Sequence, residues 1–376
     1  MLAPATLQAS PLAALGPRLA AQPVARSGAV SHRPADTPVL SRVFVTGAAG
    51  FIGGHLCQHL KGAGVWRQVP FVRGAQSAEL LRTQGLEAVQ GDLRNPVDVV
   101  AGLKGCDAVV HLAHGEQGPK VTRCLLQLAA KHGVKRFVYV SSMAVHGPAP
   151  GPEAAREASA RIGRYAHDYS DSKAEQEEAV QAAYARGDVE VVILRPTIVY
   201  GPAAHFVMQV VQEARAGAYT VFDEGRGVCN AVYVDDVCRA IEAALQTTRA
   251  VGEAMFITDD HPITWGEFIS TFAMMVQPLP RRVQLSSAAA VQYWAVHPPA
   301  PPPALWLRAW RKVRHLGGWQ PPLAPWPPLG RVQRECFPVA FSNEKAKTLL
   351  DWSPQVSFQR GAELTRAWLS AKGHLL

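Results

Sequence analysis

The sequence contains no run of about 18 or more consecutive apolar residues, the length a membrane-spanning helix needs, which argues against an integral membrane protein. Its six cysteines form no C-x-x-C pair, so they indicate buried or free thiols in a reducing compartment rather than a zinc site or disulfide framework. Charged residues make up only 18% of the chain against 48% hydrophobic ones, which excludes disorder throughout. We therefore expect a soluble, cytoplasmic protein whose 376 residues form about two to three structural units.

Acidic residues are missing from one long stretch. Between Glu267 and Glu335 no Asp or Glu occurs, whereas eight Arg and Lys residues fall there. These eight charges equal the formal net charge of the whole chain, +8, so the remainder is close to neutral. One segment is basic and the protein as a whole is not, which argues against a nucleic-acid partner.

The first 40 residues are rich in alanine and proline and are excluded from the fold. Arg18, Arg26 and Arg33 precede the first acidic residue, Asp36, as in some targeting peptides. Four prolines interrupt any helix before residue 24. An unstructured extension and a targeting peptide both remain open.

From Val43 onwards, short apolar strands alternate with helical segments. Repeated β-α-β units with short connections predict an α/β fold, a doubly wound parallel sheet of the Rossmann type with helices on both faces. We predict this domain over residues 41–202 and a smaller C-terminal substrate-binding region, mixed with returning Rossmann elements, over 203–376. The predicted strands are Val43–Thr46, Val69–Val72, Glu87–Gln90, Ala108–Leu112, Arg136–Ser141 and Val189–Leu194.

A glycine-rich loop directly follows the first strand and opens the first helix. It reads Gly47-Ala-Ala-Gly50-Phe51-Ile52-Gly53. Glycine permits a tight turn and close approach of a pyrophosphate, and the helix amino terminus offers free N–H groups to that anion. The loop's position in the sheet predicts a dinucleotide site.

The end of the second strand selects between the two dinucleotides. An acidic residue there binds the ribose 2′-hydroxyl of NAD, whereas arginine accommodates the 2′-phosphate of NADP. Arg73 ends this strand and no acid follows until Glu79, so the NAD(P) site is expected to favour NADP. Asp92 and Leu93 follow the third strand, where the carboxylate can meet the adenine amino group; a turn or capping role for Asp92 is equally open.

Tyr169 and Lys173 lie four residues apart, hence on one face of a helix predicted over about 168–185. A nearby lysine cation should lower the pKa of the tyrosine toward the working range of an acid–base group. Ser142 ends the fifth strand at the carboxyl edge, where ligands of doubly wound sheets bind, and could polarise the same oxygen atom.

Taken together, these motifs resemble the extended short-chain dehydrogenase/reductase superfamily, of the NAD-dependent epimerase/dehydratase type. The resemblance covers about residues 42–275 and 340–370. It rests on the following segments in the family's order: Gly47–Gly53, Gly91–Leu93, His111–Ala113, Ser141–Ser142 with Val145–Gly147, Tyr169/Lys173, Leu194–Pro202, Val232–Val237, Phe341–Lys347 and Leu350–Pro354.

The resemblance implies a Ser142/Tyr169/Lys173 triad in which Tyr169 is the acid–base group and hydride passes to or from nicotinamide C4. It also implies that Pro196 and Thr197 line the nicotinamide pocket and that Leu112 and Ala113 pack along the cofactor. No metal is implied. Dimers are common in the family, so a homodimer is one open possibility.

Two departures from the family pattern bear on the reaction. Met143 and Ala144 stand where 4,6-dehydratases carry an acid and a base, which argues against dehydratase chemistry. Cys229 and Asn230 replace the Arg-Asp often found in sugar-nucleotide enzymes, which leaves such substrates open.

The segment 278–334 departs from compact family members because it holds 12 of the 29 prolines and five of the nine tryptophans. Residues 281–334 predict either a lid packed on its tryptophans or a peripheral contact with a membrane surface. Members of the 3β-hydroxysteroid dehydrogenase-like branch often carry a lipophilic insertion near here.

The main functional hypothesis is an NAD(P)-dependent oxidoreductase for a secondary alcohol or ketone in a small-molecule substrate that is sterol-like or otherwise apolar. The alternatives are a sugar-nucleotide epimerase that recycles tightly bound NAD, and a non-catalytic NADP-sensing protein.

Overall fold

The computed structural model describes residues 42–115, 117–160, 162–297 and 326–375. The predicted N-terminal extension, residues 1–40, lies outside the described residues. So does the centre of the Pro/Trp-rich insertion, residues 298–325, with its polyproline stretch and three of its tryptophans.

The strands occur in two groups. In chain order they are β1 (Arg42–Thr46), β2 (Arg67–Val72), β3 (Val89–Gln90), β4 (Ala108–His111), β5 (Arg136–Val140), β6 (Glu190–Pro196), β7 (Ile198–Tyr200), β8 (Ala218–Phe222), β9 (Val228–Cys229), β10 (Ala231–Tyr233), β11 (Ala254–Ile257), β12 (Ile263–Thr264) and β13 (Arg281–Leu285). Seven of them form one sheet, and the other six form two-stranded pairs.

The helices alternate with the strands as far as β6. They are α1 (Phe51–Ala63), α2 (Ala75–Thr83), α3 (Pro96–Leu103), α4 (Gly118–Lys131), α5 (Asp168–Ala185), α6 (His205–Arg215), α7 (Val234–Gln246), α8 (Trp265–Ala273), α9 (Ser287–Val296), α10 (Leu329–Cys336), α11 (Glu344–Leu350) and α12 (Phe358–Ala371). In the part of the chain that the structure describes, none of them is long and apolar enough to cross a membrane.

The large sheet has the strand order β11-β6-β5-β4-β1-β2-β3, and all of its pairings are parallel. The predicted doubly wound Rossmann fold is confirmed. Its third strand is shorter than expected, with only Val89–Gln90 paired to β2. Its seventh strand, β11, comes from beyond residue 202, within the region predicted to mix substrate-binding segments with returning Rossmann elements.

Both faces of the sheet are buried because successive side chains of a strand point to opposite faces. In β1, Val43 and Val45 pack into one core with α1 and α7, whereas Phe44 packs into the other core with α3, α4 and α5. All three are fully buried. This three-layer packing leaves the carboxyl ends of the strands as the edge where loops can meet a ligand.

Candidate active site

The loop between β1 and α1 depends on glycine at its first and last positions. Gly47 has a φ of +68°, and a Cβ there would lie 2.9 Å from the main-chain nitrogen of Ala113. A Cβ on Gly53 would lie 2.2 Å from the carbonyl oxygen of Gly47. Gly50 closes the turn by donating its N–H to the same oxygen at 2.8 Å. The glycines therefore let loop, helix and β4 approach one another more closely than side chains would permit.

The first turn of α1 can receive an anion. No side chain caps this helix amino terminus, and its first turn has no acidic residue. The main-chain N–H groups of Phe51, Ile52 and Gly53 occupy that turn, where N–H groups lack partners within the helix. Their partial positive charge suits a pyrophosphate.

A cleft of about 710 Å³ opens along the carboxyl ends of β1 to β4. Of the predicted cofactor-binding residues, Gly47, Gly50, Arg73, Asp92, Leu93 and Ala113 line it. The loop, the basic residue and the acid thus line one cleft, and their binding of the cofactor stays a prediction. The lining fits a dinucleotide because it combines the glycine loop, which can receive a pyrophosphate, with charged side chains and with His114, whose ring contacts Tyr169.

At the charged end, Asp92 is held by a residue that the sequence analysis missed. Arg94 donates to its carboxylate from Nε, at 3.0 Å, and from Nη2, at 2.5 Å. These bonds, more than the nearby charge of Arg73, lower the pKa of Asp92 to about 2. Arg73 and Arg94 both line the cleft, so this end carries two guanidinium groups and one carboxylate. Arg94 lies two residues beyond Asp92, but only the fold shows that its side chain turns back into the site.

Beside the cleft, Ser142 and Tyr169 are brought together, although neither of them lines it. Ser142 begins a short 3₁₀ turn, Met143–His146, after β5, and Tyr169 lies in the first turn of α5. Although 37% of Tyr169 is exposed, protein atoms around its hydroxyl raise the pKa of the phenol, and a hydrogen bond with Ser142 opposes that rise. The phenol is therefore protonated at neutral pH.

Lys173 has a different role from the one expected. Its ammonium is buried, donates to the carbonyl oxygen of Val140 at 2.8 Å, and lies 5.0 Å from the ring centre of Tyr139. Burial lowers the pKa of Lys173 to about 8, and the charge of Glu177 opposes this shift. The expectation that Lys173 lowers the pKa of Tyr169 is wrong for the protein by itself, because burial of the phenol dominates.

Pro196 and Thr197 lie at the carboxyl end of β6. Thr197 is buried, and both its N–H and its hydroxyl donate to the carbonyl oxygen of Ile257, at 3.2 and 3.3 Å. Its polar groups thus tie β6 to β11, and neither residue lines the cleft. The same is true of Leu112, whose N–H donates to Thr46 at 3.2 Å. Contacts of these three residues with nicotinamide stay a prediction.

His114 is a second residue that the sequence analysis missed. Its ring packs edge-on against the Tyr169 ring with 4.8 Å between the ring centres, and it lines the cleft. Burial first, and the charge of Lys173 second, lower the pKa of His114, so the imidazole is neutral at physiological pH. Its place directly after the His111–Ala113 motif is the only sequence signal. His114 connects the cofactor cleft to the candidate acid–base group.

The departure at Cys229 and Asn230 has a structural explanation. The side-chain amide of Asn230 donates to the carbonyl oxygen of Val339 and accepts from the N–H of Phe341, each at 2.9 Å. Cys229 is fully buried. These two residues brace β9 and β10 against the C-terminal segment, and neither presents a cation to a substrate phosphate.

Because burial disfavours the charged form of Lys173, its removal should have a pH-dependent effect on stability. The pKa of Lys173 in the folded chain, about 8, lies below the ordinary value of 10.5. The free-energy cost of burying the charged ammonium is therefore largest below pH 8, and it disappears as the pH rises to about 10.5. We expect Lys173→Met to be inactive. Its free energy of unfolding should compare most favourably with that of the wild type at pH 7, where the wild type carries the buried charge. That advantage should shrink by on the order of 3 kcal/mol by pH 10.5.

Urea unfolding of both proteins at several pH values measures this difference. Other groups that titrate in this range are shared by the two proteins and cancel. A stability difference that is independent of pH would contradict the assignment.

A model of the NAD dependent epimerase/dehydratase family matches residues 43–257, more than half of the chain. The 2-alkyl-3-oxoalkanoate reductase of Shewanella oneidensis is 30% identical over 280 residues, which cover 67% of this chain and 71% of that enzyme. The 3beta-hydroxysteroid-dehydrogenase/decarboxylase isoform 2 of Arabidopsis thaliana is 27% identical over 377 residues, covering 88% of this chain and 62% of that enzyme.

Solved structures agree on the architecture. The UDP-glucuronic acid 4-epimerase from Bacillus cereus, in complex with UDP-glucuronic acid and NAD, has a TM-score of 0.66 at 22% identity. The match covers 88% of this chain and 99% of that one. At this identity the likeness supports the fold alone.

Proposed function

The chain belongs to the NAD dependent epimerase/dehydratase family of extended short-chain dehydrogenases/reductases, and we propose that it is an NAD(P)-dependent reductase of a ketone in a bulky, apolar molecule. One observation carries this proposal. The cleft that suits the dinucleotide is lined by His114, whose ring contacts Tyr169, and Tyr169 in turn shares a hydrogen bond with Ser142. Cofactor, proton donor and substrate oxygen can therefore meet at one point.

When bound, the cofactor supplies or accepts a hydride, and the protein's residues manage the proton. Tyr169 donates its phenolic proton to the ketone oxygen, and Ser142 holds the same oxygen by a hydrogen bond. The phenol carries its proton at neutral pH and so has one to donate. Lys173, whose ammonium donates to the carbonyl oxygen of Val140, lies one helical turn from Tyr169, and its contact with the cofactor ribose is part of this proposal.

The names of two relatives support the substrate class. One acts on a 2-alkyl-3-oxoalkanoate and the other is a 3β-hydroxysteroid dehydrogenase and decarboxylase, so both handle an oxygen function on a largely hydrocarbon skeleton. Asn230 and Cys229 offer no cation at the position where sugar-nucleotide enzymes often carry one. A bulky 3-oxo or 3-hydroxy compound is therefore the favoured substrate.

Oxidation of NADPH in the presence of 2-alkyl-3-oxo acids and 3-oxosteroids tests this function. We expect net consumption of the cofactor with at least one of these ketones. Conversion of a UDP-sugar to its epimer without net consumption of cofactor would overturn the proposal in favour of the epimerase. No turnover with either class, despite cofactor binding, would favour the non-catalytic alternative.

The charged end of the cleft supports a preference for NADP. Arg73 and Arg94 can both face a 2′-phosphate, and Asp92 is already engaged by Arg94. We expect Arg73→Ala to weaken NADPH binding by about tenfold or more, the scale of a charge-assisted hydrogen bond, while NADH binding changes little.

Titration of nicotinamide fluorescence measures both affinities. Arg82→Ala is the matched control because Arg82 is exposed on α2, pairs with Glu79 and does not line the cleft. Equal losses for NADPH and NADH in Arg73→Ala would contradict a role in 2′-phosphate recognition.

A further inference from the structure

A chain of buried hydrogen bonds links the cofactor cleft to the helix that carries Tyr169. Thr46 Oγ1 lies 2.7 Å from His111 Nδ1, and His111 Nε2 lies 2.9 Å from Thr122 Oγ1. Thr122 donates to Gln176 Oε1 at 2.9 Å, and Gln176 Nε2 donates to Ser172 Oγ at 3.2 Å. The first four residues are essentially inaccessible to solvent. This chain of hydrogen bonds joins β1, β4, α4 and α5.

The donors and acceptors allow the hydrogens along this chain of bonds to be donated in one direction only, from Thr46 towards Gln176. Thr46 Oγ1 accepts the N–H groups of Leu112 and Ala113, at 3.2 and 3.3 Å, so its own hydrogen is directed to His111 Nδ1. His111 is then neutral, carries its hydrogen on Nε2, and donates to Thr122. The Thr122 hydrogen is left for the amide oxygen of Gln176. Loss of one hydroxyl leaves a buried donor and a buried acceptor without partners.

The ends of this chain lie at the two halves of the active site. One end holds the main chain of Leu112 and Ala113, and Ala113 lines the cofactor cleft. The other end holds Ser172, the residue before Lys173. Gln176 also packs against Gly118, which lines the cleft, since a Cβ there would lie 2.7 Å from its amide nitrogen. A shift of α5 relative to the cofactor wall would break these bonds.

We propose that Thr122 and His111 are positioning residues that hold α5, and with it Tyr169, at the reacting end of the cofactor cleft. This inference rests on the proposed function. Small displacements of a proton donor reduce the rate of the chemical step much more than they reduce binding. The network should therefore control kcat and leave cofactor affinity nearly intact.

The experiment compares Thr122→Val, which keeps the shape and removes the hydroxyl, with Thr122→Ser, which keeps the hydroxyl. For Thr122→Val we expect kcat to fall by about tenfold, KM and NADPH affinity to change less than about twofold, and amide exchange at the start of α5 to accelerate. Thr122→Ser should keep both kcat and the amide exchange at the wild-type level. If Thr122→Val does not fold, Gln176→Met cuts the same chain at the next link.

Thr365→Val is the control for a generic buried threonine, because the Thr365 hydroxyl donates only within α12, to Gly361 at 2.6 Å. It should lower stability without changing kcat. An unchanged kcat in Thr122→Val, or an equal loss in Thr122→Ser, would overturn the inference. If the wild type reduces no ketone, the proposed function fails; unaltered amide exchange in Thr122→Val would separately refute the positioning network.

Discussion

Replacing Tyr169 by phenylalanine is expected to lower kcat by at least about 100-fold, the usual scale for a general acid–base group, and to leave cofactor affinity nearly unchanged. The ring would remain packed against His114, since the edge-on contact, with 4.8 Å between the ring centres, needs only the ring, whereas the proton and the hydrogen bond to Ser142 would be lost. Steady-state kinetics with a reducible ketone and a fluorescence titration with NADPH separate these two effects.

Tyr184→Phe is the matched control for this substitution. Tyr184 lies on the same helix with a similar exposed fraction, 39%, but its ring packs against Gly252 instead of the cleft. It should therefore retain full activity. Full activity in Tyr169→Phe would disprove the acid–base assignment, and a comparable loss in both variants would point to damage of the helix as a whole.

Replacing Gly53 by alanine is expected to weaken dinucleotide binding by more than about tenfold, or more than about 1.4 kcal/mol. The new Cβ would lie 2.2 Å from the carbonyl oxygen of Gly47 and 2.9 Å from Cα of Ala48, both of them main-chain atoms that cannot turn away. The loop must move outward, and the N–H groups that face the pyrophosphate would lose their alignment. Fluorescence titration and the cofactor-induced rise in Tm measure this loss.

The control for Gly53 is Gly62, nine residues further along the same helix. A Cβ on Gly62 would meet no atom within 4 Å, so Gly62→Ala should bind cofactor normally and stabilise the protein by up to about 1 kcal/mol. Cofactor affinity of the wild-type level in a folded Gly53→Ala protein would refute the assigned phosphate loop.

The two variants probe different halves of the site. Gly53 acts through main-chain geometry at the pyrophosphate, so its loss should appear in cofactor affinity. Tyr169 acts through one proton, so its loss should appear in turnover. An enzyme in which both variants lowered only stability would have its active site elsewhere.

Local sequence patterns were sufficient for much of the fold and part of the site. The alternation of apolar strands and helices predicted the parallel sheet, and the bounds of α5, Asp168–Ala185, agree with the predicted helix. The glycine loop lies within one strand-turn-helix unit, and Tyr169 and Lys173 lie one helical turn apart. Such features depend on neighbours within about seven residues, so the chain itself carries them.

Tertiary structure alone decided which distant groups meet. Asp236 belongs to a family motif, yet its carboxylate accepts the N–H groups of Gln355, at 2.7 Å, and Val356, at 3.2 Å, and so fastens the C-terminal segment. The seventh strand joins β6 across more than 50 intervening residues, and no local pattern specifies that pairing. Arg94 and His114 enter the site because neighbouring strand ends meet at one edge.

The protonation states likewise depended on packing. Tyr169 and Lys173 lie four positions apart, a spacing that suggested a lowered pKa for the phenol. Burial instead raises the pKa of the phenol, and a hydrogen bond holds the Lys173 ammonium at the carbonyl oxygen of Val140. The chain of hydrogen bonds from Thr46 to Gln176 joins residues up to 130 positions apart and determines which ring nitrogen of His111 carries the hydrogen. The sequence by itself determined which chemical groups are available and which of them share a turn or a helix face. Desolvation and long-range contacts, which exist only once the strands are ordered in the sheet, decided what those groups can do.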